Sequence, residues 1–203
     1  DFDLDSQRSL KYKINEYTKQ IKDYLGLNAY CIYNPIKNVS FLNLPDYQKV
    51  RNSRGQRYKY LFVGRACDPN KNFLRIMATL QILGDGPDSI AVVGSEDPKW
   101  GNYMGILSDG DLELMYNYVD YLFLPASYKS IGLPLLESVV TRTRFLVSEK
   151  DPCTQEFVGD LGVPSNPYGI ASKIRNSEWN NKVQDFVNKY SDEYKIKFGP
   201  KQV

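Results

Sequence analysis

From Tyr58 onward the chain alternates short apolar runs with stretches of helical period, and no other feature restricts the available folds so strongly. YLFV (60–63), IAVV (90–93) and YLFL (121–124) are continuously apolar, without the in-out alternation of a strand that has one wet face. Strands of that kind are covered on both sides. The stretches between them repeat apolar residues three and four apart, the period of an amphipathic helix. Strand followed by helix followed by strand needs crossover connections, so the expected fold is α/β, with a doubly wound parallel sheet. The expected strands are Tyr58–Val63, Ser89–Val93, Asn102–Leu107, Tyr121–Leu124 and Phe145–Ser148. Helices are expected over 71–83, 110–118 and 133–142, then a short one at Thr154–Val158 and two more near 168–175 and 178–190.

Before Tyr58 the pattern differs. Leu10, Ile14, Tyr17, Ile21 and Leu25 define one apolar helical face over residues 6–25, with Ser6 available as cap and Gly26 as stop. AYCIYNPI (29–36) is rich in strand formers and closes at Pro35. Residues 37–57 have no period and carry Pro45, Arg51, Arg54 and Arg57, as a long loop or linker would. Two regions are therefore expected: a helix-strand extension with linker over 1–57, and one domain over 58–203 with its C-terminal helices. With 203 residues, 42% hydrophobic and 25% charged, the chain suits a domain plus an appended element and not two full domains.

Histidine is absent, which removes Ser-His-Asp and Cys-His nucleophiles and every histidine-containing metal site from this chain. Cys31, Cys67 and Cys153 form no CxxC and read as small core residues rather than a disulfide framework or zinc site. No apolar run reaches membrane-spanning length, and Asp1, Asp3 and Asp5 contradict a signal peptide, so a soluble cytoplasmic protein is expected. The Asn38-Val39-Ser40 sequon is then incidental. Residues 1–75 hold 14 Lys+Arg against 7 Asp+Glu, and the remainder 12 against 17. That N-terminal excess suits phosphates or an anionic surface, although scattered solvated lysines are the commoner cause. The acidic second half speaks against a nucleic-acid partner.

In an open parallel sheet, ligands bind beyond the carboxyl ends of the strands, at the point where the winding reverses. Three such ends stand out. Val63-Gly64-Arg65, with Lys71 six residues on, combines close backbone access with two cations that suit a phosphate. Val93-Gly94-Ser95 is the second. The third runs from Leu124 through Ser130 and Gly132 into a helix starting near Pro134, with Glu137 expected in its first turn. Glu137 suits either vicinal hydroxyls, as on a ribose, or the helix dipole. No strand is followed by GxGxxG, so a dinucleotide oxidoreductase is disfavoured.

Taken in order, YLFVGR with a downstream KNF, IAVVGSEDP, YMGILSDGDLELMYNYVDYLFLPASY, GLPLLES and FLVSEKDPCTQEFV resemble the C-terminal, donor-binding half of a GT-B glycosyltransferase, most closely glycosyltransferase family 4. The likeness covers about Tyr60 to Pro167. It implies a Rossmann-like domain and transfer of a hexose from a UDP- or GDP-hexose to a hydroxyl acceptor, with retention of configuration and no metal. Arg65 and Lys71 would hold the donor diphosphate, with Gly64 admitting it to the backbone. Tyr103, Met104, Gly105 and Ile106 match the loop beside the base, and Ile131, Gly132 and Leu133 the loop facing phosphate or sugar. Glu137 matches the second Glu of the E-x7-E element, which bonds the ribose, while Glu156 and Phe157 match a segment of the pocket floor.

The pattern breaks where it is most informative. Lys129 stands at the first Glu of E-x7-E, Ser130 stands where glycine is usual, and the Arg65 to Lys71 spacing is one residue longer than is common. A lysine beside a diphosphate favours binding but removes a carboxylate from the sugar side. The alternative is therefore a pseudoenzyme, a nucleotide-sugar-binding or structural module. GT-B enzymes carry the acceptor site on a separate N-terminal domain, so the resemblance implies such a domain or a partner chain. A lipid-linked acceptor or anionic membrane surface is then what the basic stretch Lys49–Lys59 would meet.

Overall fold

The computed structural model describes residues 58–126, 132–150 and 152–198. The helix, strand and linker expected within 1–57 lie outside these residues. Five strands form one all-parallel sheet: β1 (Tyr60–Val63), β2 (Ile90–Val93), β3 (Asn102–Gly105), β4 (Tyr121–Leu124) and β5 (Arg144–Val147). Their order is β3-β2-β1-β4-β5. The chain winds outward from β1 through β2 to β3, then returns to lie as β4 on the other side of β1. The winding thus reverses between β1 and β4, where a doubly wound sheet opens its crevice.

Register decides which face each side chain takes. Tyr60 pairs with Tyr121 and Leu61 with Leu122, so the odd residues of β1 share one face with the even residues of β4. On that face Leu61, Ala91, Val93 and Leu122 pack with Met115 and Tyr116 of helix α2 (Asp109–Tyr118) and with Val119, which follows it. On the opposite face, Phe62 meets Phe73 edge-on at the start of helix α1 (Phe73–Leu83), and Tyr60 stacks on Tyr121. Continuously apolar strands are thus explained by helices on both sides.

Local chemistry sets the element ends. Ser108 caps α2 by accepting from the amide of Asp111. Gly84, at φ 78°, ends α1 and returns its amide to Gln81 and Leu80, so the Gly84-Asp85-Gly86 segment is a helix stop. Helix α3 (Leu133–Val140) ends two residues before the sequence expectation. There Arg142 adopts φ 58° and the Thr143 amide turns back to the Ser138 carbonyl. Helix α4 (Pro152–Val158) follows β5, and Val163 then pairs with Ser148 through the Val147 carbonyl. Asn166 caps helix α5 (Pro167–Arg175) by accepting from the Gly169 amide.

Two expectations are corrected here. Helix α6 runs Ser177–Phe198, one turn or more beyond the expected end near 190. The helix continues through Ser191, which is buried and takes a hydrogen bond from Arg142 Nε. Beyond it, Tyr194 packs edge-on to Phe157 and donates its hydroxyl to the Phe157 carbonyl. Phe157 is thereby part of the α4–α6 packing. Cys67, expected in the core, is exposed: it lies in the turn after β1, past the last buried strand residue.

Candidate functional site

The site is built from the connections that leave the carboxyl ends of β1 to β5. Gly64 and Gly94 end β1 and β2, and there the two backbones nearly touch. A Cβ on Gly94 would sit 2.0 Å from the Gly64 carbonyl oxygen. Gly64 itself takes φ 149°, a region open to glycine and strained for other residues. The two strand ends are then stitched together. The Gly64 amide donates to the Val93 carbonyl at 2.9 Å and the Gly94 amide to the Gly105 carbonyl at 2.9 Å.

Gly105, at φ 68°, forms a bulge at the edge of the sheet: Val92 pairs with Tyr103 and Val93 with Gly105, so Met104 has no opposite number. The bulge sets the four residues expected beside a base. Tyr103 donates its hydroxyl to the Gly94 carbonyl at 3.0 Å. Met104 packs against the cluster around Leu61 and Leu122, and Ile106 is 80% exposed at the lip.

Arg65 follows Gly64 and is mostly exposed, with Nη2 2.9 Å from Asp68 Oδ2. An exposed pair of this kind contributes about 0–1 kcal/mol, so the guanidinium can exchange Asp68 for a ligand anion at little cost. Asp68 also caps a 3-10 turn, Pro69–Lys71, by accepting from the Asn70 amide. Lys71 therefore closes that turn and does not open the helix, which corrects the sequence expectation. Asn72, at φ 52°, breaks the turn and starts α1 in its place; asparagine tolerates this left-handed backbone better than most residues.

Asn72 does not use its side chain to cap α1. Instead Asn72 Nδ2 lies 3.3 Å from the Pro125 carbonyl oxygen, and Arg75 Nη1 lies 2.9 Å from the same atom. Pro125 is buried immediately after β4, so these two donors join the β1–α1 connection to the end of β4. Partial burial lowers the pKa of Arg75 from its ordinary value, and it remains a cation. Sequence reasoning missed this pair; the only signal was an arginine within the otherwise apolar FLRIMATL.

On the far side of the crevice, Gly132 is the N-cap of α3, without a side-chain cap, and Leu133 and Pro134 are its first two residues. This positive helix end emerges at the same edge of the sheet as Gly64 and Arg65. Glu137 stands in the second turn of α3, not the first, which removes the dipole reading for it. It is 5% exposed, and Tyr116 of α2 donates to its Oε2 at 2.7 Å. Burial, then the charge and hydrogen bond of Glu137, push the Tyr116 phenol well above its ordinary pKa. Tyr116 was not expected at the site, although a buried tyrosine needs a partner for its hydroxyl.

Gly64, Arg65 and Lys71 thus lie on the β1–α1 connection, and Gly132, Leu133 and Glu137 at the cap and in the first two turns of α3, on the two sides of the switch point, with Tyr103 to Ile106 at the β3 edge. Lys129 and Ile131 lie outside the described residues. Among the described residues, no group of three His, Cys, Asp or Glu side chains stands where it could hold a metal ion. No described helix is long and apolar enough to cross a membrane.

No protein-family model matches this chain, nor does any curated protein. Solved structures do. HepE from Anabaena, in complex with UDP, superposes with TM-score 0.67 at 14% identity, covering 85% of this chain and 54% of its own. Sucrose-phosphate synthase from Thermosynechococcus elongatus gives TM-score 0.60 at 18% identity, covering 78% and 46%. The C-terminal domain of LpcC, a glycosyl transferase group 1 family protein from Francisella tularensis, gives TM-score 0.57 at 16% identity, covering 79% and 95%. The fold is that of a GT-B glycosyltransferase C-terminal domain, Rossmann-like with a five-stranded parallel sheet. The chain spans about half the length of HepE and of sucrose-phosphate synthase.

Proposed function

We propose that this chain is the donor-binding half of a glycosyltransferase, moving a hexose from a UDP- or GDP-hexose to a hydroxyl acceptor with retention of anomeric configuration. One observation carries the reading. Gly64, Arg65 and the α3 N-terminus, whose cap residue is Gly132, follow the carboxyl ends of β1 and β4, the two strands between which the winding reverses. Such a place offers backbone amides, a cation and a helix dipole to the same anion.

In this reading Arg65 leaves Asp68 and takes the donor diphosphate, with Lys71 as a second cation and Gly64 admitting an oxygen close to the backbone. Gly132 and Leu133 give the α3 end to the phosphate or sugar, together with Ile131. As the sugar leaves, negative charge grows on the diphosphate, and these fixed groups stabilise it without reorganising. That role needs neither a histidine nor a metal from this half. Glu137, held by Tyr116, takes the ribose hydroxyls, and Tyr103, Met104, Gly105 and Ile106 border the base. The acceptor comes from an N-terminal domain or partner chain, the protein being cytoplasmic with its basic stretch Lys49–Lys59 against a lipid-linked acceptor or anionic membrane surface.

Lys129 favours a second reading, in which the domain holds a nucleotide sugar without transferring it. The test is transfer by the protein with its acceptor half present, offered UDP-glucose and GDP-mannose. Appearance of an α-linked product, with Arg65→Ala slowing it at least a hundredfold, supports the transferase. Tight donor binding with no product, and turnover gained by Lys129→Glu, supports the binding module.

A further inference from the structure

The sheet topology leaves the β1–α1 and β4–α3 connections diverging from the crevice, since β1 leads toward β2 on one side and β4 toward β5 on the other. Among the described residues, two side chains of the β1–α1 connection reach the end of β4. Asn72 Nδ2 and Arg75 Nη1 converge on one carbonyl oxygen, that of buried Pro125, at 3.3 and 2.9 Å. Both donors give something up to reach it. Asn72 adopts a left-handed backbone and forgoes the capping of α1, and Arg75 gives up part of its hydration. The two are themselves joined, because the Arg75 amide donates to the Asn72 carbonyl at 2.9 Å.

Lys71 is the residue caught between this clamp and the preceding turn. Its amide donates to the Asp68 carbonyl at 2.9 Å, and the Asn72 amide to the Pro69 carbonyl at 3.1 Å. The Asp68 amide in turn donates to the Arg65 carbonyl at 3.2 Å, a backbone bond that does not depend on where the Arg65 guanidinium sits. The backbone of Lys71 is therefore fixed to Arg65 on one side and to the end of β4 on the other.

We propose that Asn72 and Arg75 are positioning residues, whose shared grip on the Pro125 carbonyl sets Lys71 at the distance across the crevice that a diphosphate requires. This rests on the donor-site reading above. Neither residue needs to touch the ligand. Loosening the grip lets Lys71 drift from β4, and a cation moved away from a bound anion loses part of its attraction to it.

The test is calorimetric titration of the whole chain with UDP and with GDP, using wild type, Arg65→Ala, Lys71→Ala, Arg75→Met, Arg75→Lys, Asn72→Gly and the Lys71→Ala/Arg75→Met double variant. Arg75→Met is expected to weaken nucleotide binding about tenfold, with Arg75→Lys recovering most of it. Asn72→Gly, which keeps the left-handed backbone and removes only the amide, is expected to weaken it about threefold. In the Lys71→Ala background, Arg75→Met should add less than about twofold, since its effect passes through Lys71. A purely structural arginine would lower stability and leave that coupling at zero. Full additivity of the two substitutions overturns the proposal. So does unchanged affinity in Arg75→Met and Asn72→Gly while Arg65→Ala weakens binding, an outcome that spares the donor site. Folded wild type that binds neither nucleotide overturns the donor-site reading and the clamp's role with it. If Arg75→Met does not fold, Arg75→Lys and Asn72→Gly decide by the same criteria.

Discussion

The hydroxyl of Tyr116 lies 2.7 Å from Glu137 Oε2, at a contact between α2 and α3 where both side chains are buried. The phenol is the donor, and the carboxylate would be left with one fewer partner without it. Tyr116→Phe removes the donor and keeps the ring. It is expected to destabilise the domain by about 1–3 kcal/mol, the cost of a buried acceptor losing its bond. Glu137→Gln keeps an oxygen for the phenol and should cost less. Urea unfolding of the two variants checks the order, and a Tyr116→Phe protein as stable as wild type contradicts it.

Alkaline pH should weaken the fold through its buried phenols. Burial raises the pKa of Tyr60, with the Asp85 hydrogen bond and charge adding to it, and burial with Glu137 does the same for Tyr116. In the unfolded chain both titrate near 10. Below that pH both states hold the protons and the stabilisation is complete. Above about pH 10 the unfolded state releases protons that the folded state keeps, so stability falls as pH rises, by about 1.4 kcal/mol per pH unit for each phenol. Denaturant midpoints measured from pH 8 to 10.5 should drop at the upper end, and less steeply in Tyr116→Phe. A flat profile contradicts this.

Gly94 is predicted to be irreplaceable for a steric reason. The added Cβ of Gly94→Ala would fall 2.0 Å from a backbone oxygen of Gly64, which no rotamer change relieves. The strand ends must separate, at about 3 kcal/mol. Gly132→Ala, whose Cβ would meet Pro134 Cδ at an ordinary 3.5 Å, should cost far less. Thermal melts of the pair measure the difference; equal melting temperatures would count against the close approach of β1 and β2.

Cys67 is exposed in the turn after β1. Native protein should react with a thiol reagent at this residue without denaturant, and Cys67→Ser should remove one equivalent of fast-reacting thiol. No change in that fast phase would mean that Cys67 is shielded.

The strands were legible because a parallel sheet covered on both faces leaves uninterrupted apolar runs, and three of them, YLFV, IAVV and YLFL, are strands in the structure. The glycines after β1 and β2 also marked where the two strand ends approach each other. What stayed hidden depends on side chains that meet across long sequence separations. Nothing local in FLRIMATL directs Arg75 to Pro125, and nothing in LMYNY directs Tyr116 to Glu137. The position of Lys71 was misread for a local reason: Asp68-Pro69 opens a 3-10 turn that imitates a helix start, and Asn72 ends it. Cys67 was misread because it follows an apolar strand, although the burial of β1 stops short of it.

The most direct test of the account is binding at the reversal point of the sheet. UDP, GDP, UDP-glucose and GDP-mannose are titrated calorimetrically into the wild-type chain, Arg65→Ala and Glu137→Ala. The account predicts that one base is preferred, and that both substitutions weaken its binding at least about tenfold, as loss of a charged hydrogen-bonding partner requires. A folded chain that binds none of the four, or binds one with both variants unaffected, contradicts it.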